Sequence, residues 1–253
     1  VAAAITIFCS NLCTAQKSLD LEEVLNGRLI QTKGIGAMNW MKDGERYSRL
    51  ERNETDGGMD VVAYRAKDNA REVIIPSSMF INPLTGKHIG MGRLSWSNDN
   101  DKVMIFNNTK RVWRYDTRGD YWVLSLQDGS LRQLGKGLPE SSMMFAKFSP
   151  DGTRVAYVSD NNIYVEDINS GKRTQLTHDG SRTIVNGTFD WVYEEEFNCR
   201  DGFRWSPDGK YIAYWQSDTE ETGVFDIINN VDSVYPTILH FPYPKAGTAN
   251  SAV

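Results

Sequence analysis

From residue 45 onward, hydrophobic and polar residues do not follow a helical period but form short apolar runs between turns. Four runs, at residues 61–64, 103–106, 121–124 and 154–158, are rich in the β-branched and aromatic residues that strands favour. Clusters of turn-forming residues separate the runs: Asp56-Gly57-Gly58, Asp128-Gly129-Ser130 and Asn169-Ser170-Gly171. The pattern predicts an all-β domain of short strands.

A turn motif repeats within this strand-rich region. The sequence FSPDG at 148–152 leads into RVAYVSD, WSPDG at 205–209 leads toward YIAYWQSD, and a degenerate copy, WSND at 96–99, precedes KVMIFNN. We expect the aromatic residue to pack between adjacent sheets, proline to preset φ, and Asp-Gly to reverse the chain. A repeat of about 50 to 60 residues is typical of four-stranded propeller blades. Residues 45–253 should therefore form a partial β-propeller of about four blades of four antiparallel strands.

The first 44 residues follow a different pattern. Residues 1–15, VAAAITIFCSNLCTA, are apolar and uncharged and end in small residues, which is typical of an export signal cleaved before Gln16. Residues 18–27, SLDLEEVLNG, predict a short helix with a capping residue and a terminal glycine. We therefore divide the chain into a signal remnant at 1–15, an N-terminal segment at 16–44 and the propeller part at 45–253. The mature protein should be exported to the periplasm, the cell surface or the medium.

Composition narrows the possible partners. The net charge is −5 and the sequence has no stripe of basic residues, which argues against nucleic acid as a binding partner. With Cys9 and Cys13 in the leader, Cys199 is left alone, so we expect no intrachain disulfide. The three histidines are not spaced as the ligands of a metal ion usually are, and no motif implies a metal or another cofactor.

The most unusual stretch is DWVYEEEF at 190–197, where three glutamates directly follow an aromatic, apolar segment. A charge run usually lies on a solvated surface, but this one is flanked by Tyr193 and Phe197. Neighbouring glutamates can serve one cavity only if the strand pattern breaks into a short helix or bulge. Paired carboxylates can perform acid–base catalysis or bind a divalent cation, and both alternatives stay open from the residues alone.

The sequence DWVYEEE, together with WSPDGKYIAYWQSD and PYPKAGTAN, resembles the propeller domain of the dipeptidyl peptidase IV family of serine exopeptidases. The resemblance extends from about residue 20 to the C-terminus. It implies an eight-bladed propeller followed by an α/β-hydrolase domain, and a homodimer of the complete protein. It also implies that Glu195 and Glu196 bind the free N-terminal ammonium of peptide substrates. Arg114, which read alone is a stacked surface arginine, would contact the substrate carbonyl and the glutamates.

No G-x-S-x-G nucleophile elbow and no βαβ pattern occur in the chain, so we expect the α/β-hydrolase domain to be absent from it. The chain would then be about half of a propeller and carry no catalytic residues. The resemblance predicts release of N-terminal Xaa-Pro or Xaa-Ala dipeptides by a Ser-Asp-His triad elsewhere in the complete protein. Two alternatives remain: a non-catalytic TolB-like propeller module, which shares the Ser-Pro-Asp-Gly repeats, and a family member that releases tripeptides.

Overall fold

The structure is a computed structural model that describes residues 20–26, 34 and 36–253. It divides into two units, Val1–Gly36 and Ala37–Val253. In the first unit, helix α1 spans Leu21–Leu25, within the predicted helical segment. The predicted leader and its two cysteines lie outside the described residues, as do both predicted ends of the 18–27 helix. Within the described part of the chain, no helix has the length and apolarity needed to cross a membrane.

The second unit begins with an antiparallel sheet of four strands in sequential order, the first sheet. Its strands are β1 (Asn39–Trp40), β2 (Arg46–Arg52), β3 (Met59–Arg65) and β4 (Arg71–Ile75). Strand β1 pairs with β2 through Trp40 and Tyr47, so the first sheet begins ahead of residue 45. A one-turn 3-10 helix, Ser77–Phe80, follows β4.

Two further groups of four strands follow. We call them the second and third sheets, although hydrogen bonds between β7 and β9 join them. The second contains β5 (Arg93–Trp96), β6 (Lys102–Val112), β7 (Tyr115–Ser125) and β8 (Leu131–Gln133). The third contains β9 (Met143–Phe148), β10 (Arg154–Ser159), β11 (Asn162–Asp167) and β12 (Arg173–Gln175). Strand β9 also pairs with the start of β7, through Met143 and Gly119, which joins the two groups into one continuous sheet.

The remaining strands form three antiparallel pairs. They are β13 (Ile184–Asn186), β14 (Phe203–Trp205), β15 (Ile212–Tyr214), β16 (Gln216–Asp218), β17 (Val224–Asn229) and β18 (Thr237–Pro242). The pairs are β13 with β16, β14 with β15, and β17 with β18. Helix α2, Trp191–Phe197, lies between β13 and β14 in the chain. The all-β prediction is confirmed, with three four-stranded groups and three two-stranded pairs in the described residues.

Apolar residues from neighbouring sheets pack together, because the inner strands are buried on both faces. Along β6, Val103 and Ile105 join a cluster with residues of the first sheet, whereas Met104 and Phe106 join one with the third sheet. This alternation follows from the two-residue period of a strand. A further cluster joins the third sheet to β14: Met144, Ala156, Val158, Ile163 and Phe203. Continuous apolar runs such as 103–106 are therefore strands of sheets that are covered on both sides.

The repeated turns have the same geometry in each copy. Ser149 Oγ donates to Asp151, and Gly152, at φ +67°, donates its N–H to the Ser149 carbonyl at 2.9 Å. The copy beginning at Trp205 repeats these bonds. In the degenerate copy Asn100 takes the left-handed position at φ +60°, which asparagine tolerates better than most residues. The turn is thus conserved in shape within the chain although proline and glycine are absent from one copy.

The motif aromatics connect each sheet to the one before it, as predicted. Trp96 Nε1 donates to Ser48 Oγ of the first sheet at 2.9 Å, and Trp205 Nε1 donates to the Lys147 carbonyl of the third at 3.3 Å. Phe148 packs against the cluster shared by the second and third sheets. Each large ring therefore fills space between sheets while its N–H, where it has one, finds a partner.

Candidate functional site

The glutamate stretch forms helix α2, as the predicted break in the strand pattern requires. Asp190 caps its start, because its Oδ1 accepts the Tyr193 N–H at 3.1 Å. The other oxygen of Asp190 accepts a hydrogen bond from Ser251 Oγ at 2.6 Å. Asn198, at φ +58°, ends the helix in the left-handed conformation. Consecutive side chains on a helix diverge by 100°, so the three glutamates point in different directions.

The two ends of the loop that carries α2 meet at a pair of glycines. The Gly202 N–H donates to the Gly187 carbonyl at 3.1 Å, and Thr188 Oγ1 donates to the Arg200 carbonyl at 2.9 Å. A Cβ on Gly202 would lie 2.9 Å from the carbonyl carbon of Gly187, so a larger residue would force the backbones apart. Trp215, after β15, donates its N–H to the Gly202 carbonyl at 2.8 Å. The loop 187–202 is therefore closed at its base and anchored to Trp215, between β15 and β16.

The glutamates occupy three different environments. The Glu194 side chain is 7% exposed and lies against Arg200. The Glu195 side chain is 9% exposed, and its Oε2 accepts a hydrogen bond from Arg114 Nε. Glu196 is exposed, and none of the described residues donates a hydrogen bond to its carboxylate. Within the described chain, the helix thus presents two largely buried carboxylates, each beside an arginine, and one exposed carboxylate without a hydrogen-bond donor.

Arg114 reaches Glu195 from a tight turn between β6 and β7. Val112 pairs with Tyr115, which leaves Trp113 and Arg114 as the turn. Trp113 has φ +53°, an unusual conformation for a bulky residue. The Arg114 side chain is 74% exposed, and Nε is the only one of its nitrogens with a hydrogen bond in the described part of the chain. The structure therefore brings two of the predicted site residues into contact across 81 positions of sequence and leaves the Nη donors of Arg114 available.

One ring of β18 packs against both parts of the site. Phe241, 5% exposed, lies 5.0 Å from the Trp113 ring and 5.4 Å from the Trp191 ring, measured between centroids. Trp113 precedes Arg114, and Trp191 begins α2. Tyr243 completes the cluster at 4.8 Å from Trp191. An aromatic contact therefore connects the arginine turn to the glutamate helix on the side of β18.

A cavity of about 1050 Å³ takes part of its lining from residues that follow Arg114 and α2. Tyr115, Asn198, Cys199 and Arg200 contribute to this lining. Strands β5, β6, β7 and β9 contribute further parts of its walls, with Arg93, Phe106, Tyr121 and Phe145 among them. The volume is sufficient for a small organic ligand. Rings and guanidinium groups together suit a peptide, which has both apolar side chains and carbonyl acceptors.

Burial and charge compete at Glu194. Burial raises the pKa of its carboxyl above the ordinary value, and the neighbouring Glu195 adds to that rise, whereas Arg200 opposes it. The Arg200 Nε and Glu194 Oε1 are 3.4 Å apart. Neither atom has a hydrogen bond within the described chain, so their interaction is an ion pair without hydrogen-bond alignment.

A second buried charge lies near the cavity. Burial lowers the pKa of the Lys147 ammonium to about 8, while the carboxylate of Asp201 raises it. The Lys147 Nζ bonds to Asp201 and lies 3.5 Å from the Phe203 ring centroid. Asp201 also pairs with Arg204 at 3.0 Å. These charges fix the segment that follows the glutamate loop to strand β9.

No group of three or more His, Cys, Asp or Glu side chains in the described chain is arranged to hold a metal ion. Cys199 is a free thiol in the structure. Sequence reasoning did not identify Arg200, Phe241 or Ser251. A basic residue four positions after the acidic run was a usable signal for Arg200, because such a residue can pair with a buried glutamate. No local pattern pointed to the other two.

Comparisons with known proteins agree with this architecture. The family model of the dipeptidyl peptidase IV (DPP IV) N-terminal region matches residues 97–253. Dipeptidyl aminopeptidase B of Saccharomyces cerevisiae is 34% identical over 188 residues, covering 72% of this chain and 22% of that protein. Prolyl endopeptidase FAP of Mus musculus is 30% identical over 240 residues, covering 94% and 29%. The crystal structure of Porphyromonas gingivalis dipeptidyl peptidase 4 matches with a TM-score of 0.81 at 26% identity, covering 94% and 33%. The chain thus spans between 22% and 33% of the length of these relatives.

Proposed function

Because the chain belongs to the dipeptidyl peptidase IV family, matching its N-terminal region, we propose that it recognises the free N-terminus of peptides for a serine exopeptidase. The complete protein would release N-terminal dipeptides of the Xaa-Pro or Xaa-Ala type. In this proposal Glu195 and Glu196 bind the substrate ammonium, and Arg114 binds the carbonyl of the first residue. A carbonyl and a carboxylate together match the fork of donors on a guanidinium group.

The observation that carries the proposal is the arrangement of two consecutive carboxylates on α2. An ammonium has three N–H donors, and charge-assisted hydrogen bonds contribute about 1.5–3 kcal/mol each. Glu195 is held by Arg114, whereas Glu196 is exposed without a donor among the described residues. Because only one of the two carboxylates is already paired, they can bind a cation without losing more than that one contact.

Binding the amino terminus determines where cleavage occurs. If the ammonium is held at α2, the scissile bond lies a set number of residues away, next to a nucleophile elsewhere in the complete protein. The helix is suited to this because its loop is closed at Gly187 and Gly202 and its start is capped by Asp190. A rigid anchor keeps that distance constant.

The test uses alanine variants of the complete protein. Leaving a charged partner without its counter-charge costs about 3–5 kcal/mol when buried, and we expect the lower end because Glu196 is exposed. At about 1.4 kcal/mol per factor of ten, Glu195→Ala and Glu196→Ala should each lower kcat/KM for a Gly-Pro substrate about 100-fold or more. Glu140→Ala, an exposed glutamate outside the site, is the matched control and should leave kcat/KM unchanged.

The substrate provides the second half of the test. Acetylating the peptide amine removes the cation, so the wild-type protein should lose most of its activity. Against acetylated peptide, the Glu195 and Glu196 variants should then resemble wild type, because the interaction is already absent. Equal losses on free and acetylated peptides would show that the glutamates stabilise the fold, and would contradict the proposal.

We further propose that residues 16–253 alone do not hydrolyse peptides, because the sequence contains no nucleophile elbow. Turnover of a Gly-Pro chromogenic substrate that persists after repurification, and that a serine-hydrolase inhibitor stops, would disprove this. The apolar leader supports export, with a mature N-terminus near Gln16. N-terminal sequencing of protein from the medium or periplasm tests this, and an intact leader on cytosolic protein would contradict it.

A further inference from the structure

The contact between Arg114 and Glu195 restrains the two parts of the proposed site only weakly, because water reaches the cation. The Arg114 side chain is 74% exposed, and solvent screens an ion pair at such a position. Arg114 lies in the turn before β7, whereas Glu195 lies on the closed loop 187–202. The Phe241 ring connects the two segments on the side of β18, and a further contact on another side would fix their separation.

Arg200 makes such a contact through one partly buried guanidinium group. Its carbon lies 3.5 Å from the centroid of the Tyr115 ring, the residue directly after Arg114. Its Nη2 donates to Asn198 Oδ1 at 2.6 Å, at the end of α2. Its Nε lies 3.4 Å from the buried Glu194 carboxylate. The Arg200 side chain is 20% exposed, so these interactions are less screened by water than the Arg114–Glu195 pair.

The three contacts act on different parts of the site. The ring contact restrains the strand that follows Arg114, the bond to Asn198 restrains the helix end, and the ion pair neutralises a carboxylate one residue before Glu195. Only a planar guanidinium can stack on a ring while its edges face an amide and a carboxylate. Without a cation here, Glu194 would repel Glu195 in a poorly solvated environment, and the helix would shift or Glu194 would take up a proton.

We propose that Arg200 is a positioning residue, which holds the glutamate helix in register with Arg114 through Tyr115, Asn198 and Glu194. This inference rests on the proposed binding of the substrate ammonium by Glu195 and Glu196. Arg200 does not contact the ammonium in this scheme. It acts by keeping the two carboxylates and the Arg114 fork at a fixed separation.

The experiment compares kcat/KM for a free-amine peptide with that for its acetylated form in the complete protein. Displacing a binding group by about 1 Å can lower a rate about 100-fold, so Arg200→Met should reduce the free-to-acetylated ratio about 10- to 100-fold. Activity on acetylated peptide should stay near wild type, which also shows that the variant is folded. Arg200→Lys keeps the charge without the planar stack, so its ratio should be intermediate.

A double variant tests whether Arg200 acts by neutralising the buried carboxylate of Glu194. Glu194→Gln removes the charge that Arg200 neutralises, so Arg200→Met combined with Glu194→Gln should lose less than the product of the single losses. If Arg200→Met lowers both substrates equally, or leaves the ratio unchanged, the positioning role is wrong. The Glu195 and Glu196 alanine variants, measured alongside, separate the two ideas. If they also keep the wild-type ratio, the ammonium-binding proposal fails; if they alone lose it, only the inference about Arg200 fails.

Discussion

Removing the ring of Phe241 should loosen the glutamate helix and the arginine turn together. The ring is 5% exposed and packs against Trp113 and Trp191, the residues that flank Arg114 and begin α2. Phe225 offers a matched control, because it is the same residue type in the same hairpin and also contacts the Phe241 ring, at 5.9 Å. It is 39% exposed, and within the described chain its ring packs against Phe241 and Tyr243 but against neither tryptophan.

The expected magnitude follows from burial. Replacing a buried phenylalanine by alanine costs about 3–5 kcal/mol, because apolar contact is lost and a cavity remains. We expect about 3 kcal/mol at α2, the lower end of this range, since the neighbouring chain can move into part of the cavity. At about 1.4 kcal/mol per factor of ten, amide exchange through opening of this region should accelerate about 100-fold.

Hydrogen exchange measured by mass spectrometry on the complete protein detects this faster amide exchange in individual peptides. In Phe241→Ala, exchange should accelerate in peptides covering 110–118 and 187–202, whereas peptides from the first sheet should be unchanged. Phe225→Ala should accelerate exchange in the hairpin of β17 and β18 but only slightly in α2. Equal acceleration of α2 in both variants, or none in Phe241→Ala, would refute the conclusion that this ring connects the arginine turn to the helix.

Three further outcomes can be measured. An NMR titration of the lysine side chains should show Lys147 changing protonation at about pH 8 rather than at its ordinary 10.5, and Asp201→Asn should lower that midpoint further. Between these two pH values the unfolded chain binds more protons than the folded one, so the stability contributed by Lys147 should rise with pH across that range. A titration midpoint near 10.5 would contradict the role of burial. Asp190→Ala should destabilise α2 by about 0.5–2 kcal/mol, seen as faster amide exchange, and Asp190→Asn should restore most of the protection; no difference between the two would argue against the cap. Gly152→Ala, at φ +67°, should cost about 1 kcal/mol in denaturant unfolding, whereas Asn100→Gly, at φ +60°, should be neutral or stabilising; the reverse order would exclude the conformational explanation.

The strands and turns could be predicted because their causes are local. The runs at 61–64, 103–106, 121–124 and 154–158 all lie inside strands. Apolar side chains on both faces of a strand indicate that a sheet is covered on both sides, and the sequence displays this directly. The turn motif depends on hydrogen bonds between residues two to five positions apart, such as Ser149 with Asp151 and Arg154, so it too is visible in the sequence.

The break at the glutamates was also predictable, for a stereochemical reason. Adjacent strand residues point to opposite faces, so consecutive carboxylates that act together require another conformation. The caps Asp190 and Asn198 stand at the two ends of that segment, and both residue types favour these positions. The helix therefore follows from residues within a few positions of each other.

Local patterns in the chain therefore specify short strands, their turns, and a break in the strand pattern at the three glutamates. The contacts of Arg114 with Glu195, of Arg200 with Tyr115 and Glu194, and of Phe241 with two tryptophans appear only in the folded chain. These contacts join segments far apart in the chain, and they depend on how the sheets stack and on where the loop 187–202 closes. A periodicity of two or of 3.6 residues records which face of an element is buried, but it carries no information about which distant residue covers that face.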